Sequence, residues 1–130
     1  MDSFAHDRLT IRANGAAANL LELSWEGTSR EREPGKLLLP YLTAAMAWSS
    51  ERNVGVEMRF DKLEFFNSAT VMVIVKMIHL ARSKGIRMRL TYASDVEWQS
   101  LSFRPMRVFE KEGIFEISAV PSRSAVGGVS

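Results

Sequence analysis

Apolar and polar residues alternate in five stretches of the chain, and each predicts a strand with one face in a core and one in water. Leu9 and Ile11 oppose Thr10 and Arg12 between Arg8 and Arg12. Leu21, Leu23 and Trp25 oppose Glu22, Ser24 and Glu26 between Leu20 and Glu26. Val54, Val56, Met58 and Phe60 oppose Gly55, Glu57 and Arg59. Ile86, Met88 and Leu90 oppose Arg87 and Arg89, and Phe115, Ile117 and Ala119 share the inner side of Ile114–Ala119. The first two stretches read as a hairpin across the turn at Ala13–Asn19.

Helical spacing fills the gaps. Leu38, Leu42, Ala45 and Ser49 recur at the helical period within Lys36–Asn53, and Pro40 sets the predicted start near Leu39. A second helix is predicted from Ser68 to Lys84. Its Val and Ile content competes for a strand, but its length exceeds an ordinary strand and its ends carry caps, Asn67-Ser68 before and Lys84-Gly85 after. Its predicted core side is Val71, Ile74, Val75 and Ile78. Ser94 and Glu97 have capping-box spacing for a third helix that ends before Pro105, and Met106–Glu112 adds a helical turn. Gly27–Gly35 and Asp61–Phe66 read as loop or extended chain.

The order β-β-α-β-α-β-α-β implies parallel crossovers. Strands covered on both faces would be apolar throughout; these alternate, so one face is wet. The expected fold is a two-layer α/β sandwich with a mixed, mostly parallel sheet and helices packed mainly on one face. Glu22, Glu57, Arg59, Arg87, Arg89 and Glu116 are expected to form cross-strand charge pairs on the wet face. The domain spans 1–120, and 121–130 reads as a disordered tail.

Composition narrows function by exclusion. The 130 residues are 46% apolar and 25% charged, which suits one folded domain. Cysteine is absent, removing thiol nucleophiles, disulfides and cysteine-bound metals. No carboxylate cluster, phosphate-binding glycine loop or nucleophile elbow stands in the chain, and no metal or cofactor is expected. Ser68 and His79 cannot form a dyad, because eleven residues along one helix separate them by about 16 Å. No catalytic residue is assigned. A net charge of +2 is too small to imply a polyanionic partner by itself. The basic string Arg82, Lys84, Arg87 and Arg89 is the best candidate for nucleic acid, but helix-end and sheet-face charge is the stronger reading of it. No secretory signal or 20-residue apolar run appears, so the expected location is the cytoplasm.

One constellation stands out. Phe65-Phe66-Asn67-Ser68-Ala69-Thr70 joins a strand to the most apolar helix. A hydroxyl at a helix N-terminus is placed to carry phosphate, which free N–H groups and the dipole would stabilise. On spacing alone, a plain capping pair accounts for the same residues.

Residues 54–93, VGVEMRFDKLEFFNSATVMVIVKMIHLARSKGIRMRLTYA, resemble the centre of a STAS domain, the fold of bacterial anti-sigma-factor antagonists. In that family a strand ends in an Asp-Ser-Ser-Gly-type turn before an apolar helix. Ser68 matches the phosphoacceptor and Asn67 the preceding Asp; Ala69 and Thr70 replace the second Ser and the Gly. The turn is also similar to the Asn-Thr-Ser-Ser type of STAS-like regulatory phosphoproteins, some of which act on cyclic-di-GMP signalling. The resemblance implies a non-enzymatic partner-switching protein. Its partner would be a serine kinase acting as anti-sigma factor, or a regulated enzyme, with a phosphatase to reverse the switch. Ser68 is the expected acceptor and Thr70 its back-up. Asn67, Ser68, Ala69, Thr70, Met72, Lys76 and His79 are the expected partner-binding residues.

Overall fold

The computed structural model describes residues 1–15 and 19–122. Six strands form one sheet: β1 (Phe4–His6), β2 (Leu9–Asn14), β3 (Leu20–Ser29), β4 (Gly55–Phe66), β5 (Met88–Ala93) and β6 (Phe115–Val120). They lie side by side in sequence order. β1, β2 and β3 pair antiparallel; β3 to β6 run parallel. The helices α1 (Pro34–Arg52), α2 (Ser68–Ser83) and α3 (Glu97–Phe103) fill the crossovers, and a 3-10 turn over Arg104–Phe109 continues α3. Because the order advances in one direction, right-handed crossovers put every helix on the same face. The expected two-layer sandwich is therefore the observed one.

The inner face carries the alternating residues read from the sequence. Ile11, Leu21, Leu23, Trp25, Val56, Met58 and Leu90 are fully buried. Leu38, Leu42, Ala45 and Met46 of α1 and Ile74, Met77 and Ile78 of α2 close over them. The prediction of Val71 and Val75 as core was displaced by one helical face. Val73 and Met77 are buried beside α1, while Val71 and Val75 are only partly covered.

Several boundaries differ from expectation, each for a physical reason. α1 starts at Pro34, which sits at the first helical turn where a missing N–H is harmless. Pro40 lies inside the helix; it and Lys36, whose carbonyl it denies the usual helical donor, are both on the exposed side, where solvent can reach that carbonyl. The Ser94–Glu97 capping box does not form. Val96 occupies the cap position, and Ser94 instead bonds Val120 through both its N–H and hydroxyl. β1 was not foreseen. Of the predicted tail, Ser122 is buried with its N–H held by Asp95 at 2.7 Å; residues 123–130 lie outside the described residues.

The wet face keeps part of the expected charge plan, with Arg89 in register between Glu57 and Glu116, and alters the rest. Register aligns Glu22, Glu57, Arg89 and Glu116 in one row, so Glu22 meets a like charge. Glu57 is buried and accepts the Thr91 hydroxyl at 2.6 Å. Arg59 pairs along its own strand with Asp61 at 3.1 Å, and Arg87 lies outside β5. The ion pair that does cross strands here is Arg12–Glu26, at 2.8 Å.

β4 is the pivot of the sheet. Its first half pairs on both sides, but pairing with β5 ends at Arg59–Thr91. Beyond that, β4 follows β3 alone through two register shifts to Ser29–Phe66. Its freed carbonyls are met by Gln99 of α3, which is fully buried. The Gln99 amide donates to the Phe60 and Leu63 carbonyls at 2.6 and 2.9 Å, and its oxygen accepts the Ala93 N–H at 2.7 Å. Phe103 packs beside it against Phe60, Phe66 and Tyr92. At the far edge, Phe115 bonds Lys111 in both directions and the Glu110 carboxylate accepts the Ile117 N–H.

Replacing Gln99 by Leu strips partners from three buried backbone groups. At about 1–3 kcal/mol for each unpaired group, the loss should be about 3 kcal/mol or more in urea unfolding. A loss below about 1 kcal/mol would mean that water satisfies these groups equally well.

Candidate functional site

The turn from β4 into α2 is organised by Asn67. Its extended backbone places it as the helix cap, as the sequence predicted. The side-chain oxygen accepts from the Thr70 N–H at 2.9 Å and the Thr70 hydroxyl at 2.7 Å. With its proton so committed, the Thr70 hydroxyl accepts from the Ser29 hydroxyl at 2.7 Å. The Asn67 amide donates to the Glu31 carbonyl at 2.8 Å, and its backbone N–H donates to the Ser29 carbonyl at 3.1 Å. Asn67 thus ties α2 to the loop after β3. A carboxylate could cap the helix but has no N–H for Glu31, which gives the asparagine a physical reason to stand where the family resemblance places an aspartate.

Ser68 is the first residue of α2 and is exposed. Capping falls to Asn67, so the Ser68 hydroxyl is not consumed by the helix end. Thr70 is the reverse. It is fully buried and its hydroxyl holds two partners. This overturns its expected roles as back-up acceptor and as a contact residue: it is an internal strut.

The other expected contact residues divide by depth. Met72, Lys76 and His79 continue the exposed stripe from Ser68 along α2, and Met72 is 59% exposed. Asn67 and Ala69 are partly covered. The His79 ring packs edge-on to Phe109, 5.4 Å away. α1 covers the Val73 side of α2 but leaves Met72 open.

Sequence reasoning missed Ser29, Glu31 and the pair Arg30–Phe65. The Arg30 guanidinium lies 4.7 Å from the centre of the exposed Phe65 ring. Ser29 and Glu31 sat in a segment read as loop, and their proximity to Asn67 depends on the β3–β4 register.

The basic string is dispersed. Arg82 donates to the Phe109 carbonyl, Arg89 stands between Glu57 and Glu116 on the sheet, and Lys84 and Arg87 border a cleft at the far end. Trp25 is buried, Trp98 packs on Phe66, and Trp48 is covered by Arg52, so none offers a free stacking platform. No helix of the described residues is long and apolar enough to cross a membrane.

This architecture, with an exposed serine opening the helix after the central strand, is the STAS-like fold. Among solved structures it is similar to SiaC, from the complex of the diguanylate cyclase SiaD with its activator SiaC from Pseudomonas aeruginosa. The TM-score is 0.58 at 15% identity, over 91% of this chain and 98% of that one. It is also similar to the anti-sigma factor antagonist SpoIIAA in its unphosphorylated form, with a TM-score of 0.51 at 12% identity, over 92% and 96%. No family model matches the sequence, and no curated protein matches it significantly. The resemblance read from residues 54–93 therefore holds as a shared fold.

Asn67→Ala removes the cap and the loop tie together and should cost about 1–2 kcal/mol. Asn67→Asp keeps the cap and loses the donor to Glu31. Its unfolding midpoint should fall less, while hydrogen exchange at Arg30–Arg32 should rise as much as in the alanine variant. Equal protection of that loop in Asn67→Asp and wild type would refute the tie.

Proposed function

We propose that this chain is a non-enzymatic signalling domain that binds a regulatory protein through the exposed face of α2 and is switched by phosphorylation of Ser68. The observation that carries this reading is the division of labour at the turn: Asn67 caps the helix, so the Ser68 hydroxyl stays exposed and available. The neighbours in fold support it, since one is named an antagonist of an anti-sigma factor and the other an activator of a diguanylate cyclase. A serine kinase doubling as anti-sigma factor, or an output enzyme, is the partner class we infer, with a phosphatase to reset the switch. The cytoplasm is the compartment in which such partners meet.

The mechanism is electrostatic. Phosphate on Ser68 adds about −1.5 to −2 charges beside the helix N-terminus, where the Ser68 and Ala69 N–H groups have no intrahelical partner. The helix tolerates that charge and is slightly stabilised by it. A partner seated on Met72 and Phe65 has to desolvate the dianion or leave. Phosphate here would therefore change binding without unfolding the domain.

Phosphopeptide mapping of the protein from its native cells should find phosphate on Ser68. Ser68→Glu should hold or raise stability by about 0.3–1 kcal/mol in urea unfolding, as expected for an acid at a helix start. Absence of phosphate across growth conditions would sink the switch and leave a domain that binds its partner constitutively.

A further inference from the structure

The crossovers from β4 to β5 and from β5 to β6 lay two helical rods side by side on the sheet. One is α2; the other is α3 with the 3-10 turn that continues it. They touch near both ends. Phe66, just before α2, packs on Trp98 with ring centres 5.2 Å apart. At the other end Phe109 packs on His79 at 5.4 Å, and its carbonyl accepts from Arg82. Rises of about 1.5 Å per α-helical residue and about 2.0 Å per 3-10 residue make both stretches about 20 Å long, so the rods run in step in the same direction.

Every large apolar side chain exposed among the described residues belongs to these rods or to the strand end that enters them: Phe65, Met72, Leu101 and Val108. Leu101, one turn beyond Trp98 on the same side of α3, is 67% exposed, and Val108 is 81% exposed. Leu101 and Pro105 line a shallow depression of about 450 Å³ with Ser100, Arg104 and Arg107. Scattered apolar residues on a surface need no explanation; their confinement to neighbouring elements marks a contact face. Charge says what that face suits. α2 has no acidic residue and carries Lys76 and Arg82, and the second rod carries Arg104 and Arg107 against Glu97 alone. Arg107 is paired with Glu110 at 3.2 Å, whereas Lys76, Arg82 and Arg104 form no ion pair among the described residues. A basic cluster that holds anionic lipid carries about four to eight Lys or Arg. Three open cations beside Glu97 fall short of that and match the few carboxylates of a peptide.

We propose that the two rods hold an acidic amphipathic helix of another protein, with its apolar stripe on Met72, Leu101 and Val108 and its carboxylates toward Lys76 and Arg104. Two helices lying in step leave a groove that a third fills by ridge-into-groove packing, and about 20 Å of groove takes about 13 residues of helix. The inference rests on the reading of α2 as the partner face. It carries the footprint across to α3 and the 3-10 turn and gives the occupant its charge. That charge accounts for the switch: a dianion on Ser68, at one end of the groove, repels an acidic occupant.

The test places photoreactive benzoylphenylalanine in place of Met72, Leu101 or Val108 in the full chain, cross-links in the native cells and sequences the captured peptides. All three positions should capture the same acidic segment of one protein, with apolar residues at helical spacing. That segment, made as a labelled peptide and followed by fluorescence anisotropy, should bind Leu101→Ser/Val108→Ser about tenfold more weakly than wild type. The melting temperature of that variant should not change, because both side chains are exposed. Lys76→Gln/Arg104→Gln should lose about threefold and flatten the salt dependence. Adducts from the Met72 position with none from Leu101 or Val108 overturn this footprint and leave the partner face on α2 standing; no adduct from any position removes both. Capture of a basic segment, of one without helical apolar spacing, or of a second copy of this chain also overturns the inference. So does binding to vesicles of phosphatidylserine and phosphatidylcholine that Leu101→Ser/Val108→Ser abolishes, because the face would then be a lipid contact.

Discussion

Everything at the Ser68 end depends on how β4 leaves β5. A parallel strand that loses a neighbour exposes a row of carbonyls to the core, where unpaired backbone groups are expensive. Gln99 resolves this with one side chain, by standing in for the missing strand at Phe60 and Leu63 while holding Ala93 on β5. The aromatic group around Phe103 fills the space that the divergence opens. Only with that wedge in place can the second half of β4 follow β3 out to Phe66. The turn at Asn67 then arrives beside Ser29 and Glu31.

The turn works by separating two jobs that one hydroxyl often does. Asn67 spends both acceptor sites of its side-chain oxygen and one amide hydrogen on structure, and Thr70 and Ser29 extend that network inward. Ser68, one residue away, is left to solvent. The same residues thus fix the helix start and keep its first side chain uncommitted.

Much of this was legible in the sequence, and what was not has identifiable causes. Alternation marked the strands wherever a regular sheet holds one face in the core, as at Leu21-Leu23-Trp25 and Met88-Leu90. It failed over Asp61–Phe66 because the register shifts bury Phe60 and Asp61 in succession and leave Glu64 and Phe65 both exposed. Pro40 marked a boundary by its usual behaviour, whereas solvent on that side of α1 let the helix run past it. Asn67 and Ser68 announced themselves as a cap. Which of them capped, and what Thr70 did, depended on Ser29, 41 residues from Thr70 in sequence and adjacent only through parallel pairing. Such pairing leaves no local trace for a reader of the chain.

The far edge of the sheet has a consequence for assembly. A sheet ending in an open strand invites another strand to dock, which is how many such domains polymerise or aggregate. Here the opening half of β6 is already occupied, by Lys111 at Phe115 and by the Glu110 carboxylate at Ile117. An incoming backbone would have to evict a charged side chain from a bond it already makes. Growth by strand addition is therefore discouraged on that border, whose first residues the chain has already paired with its own.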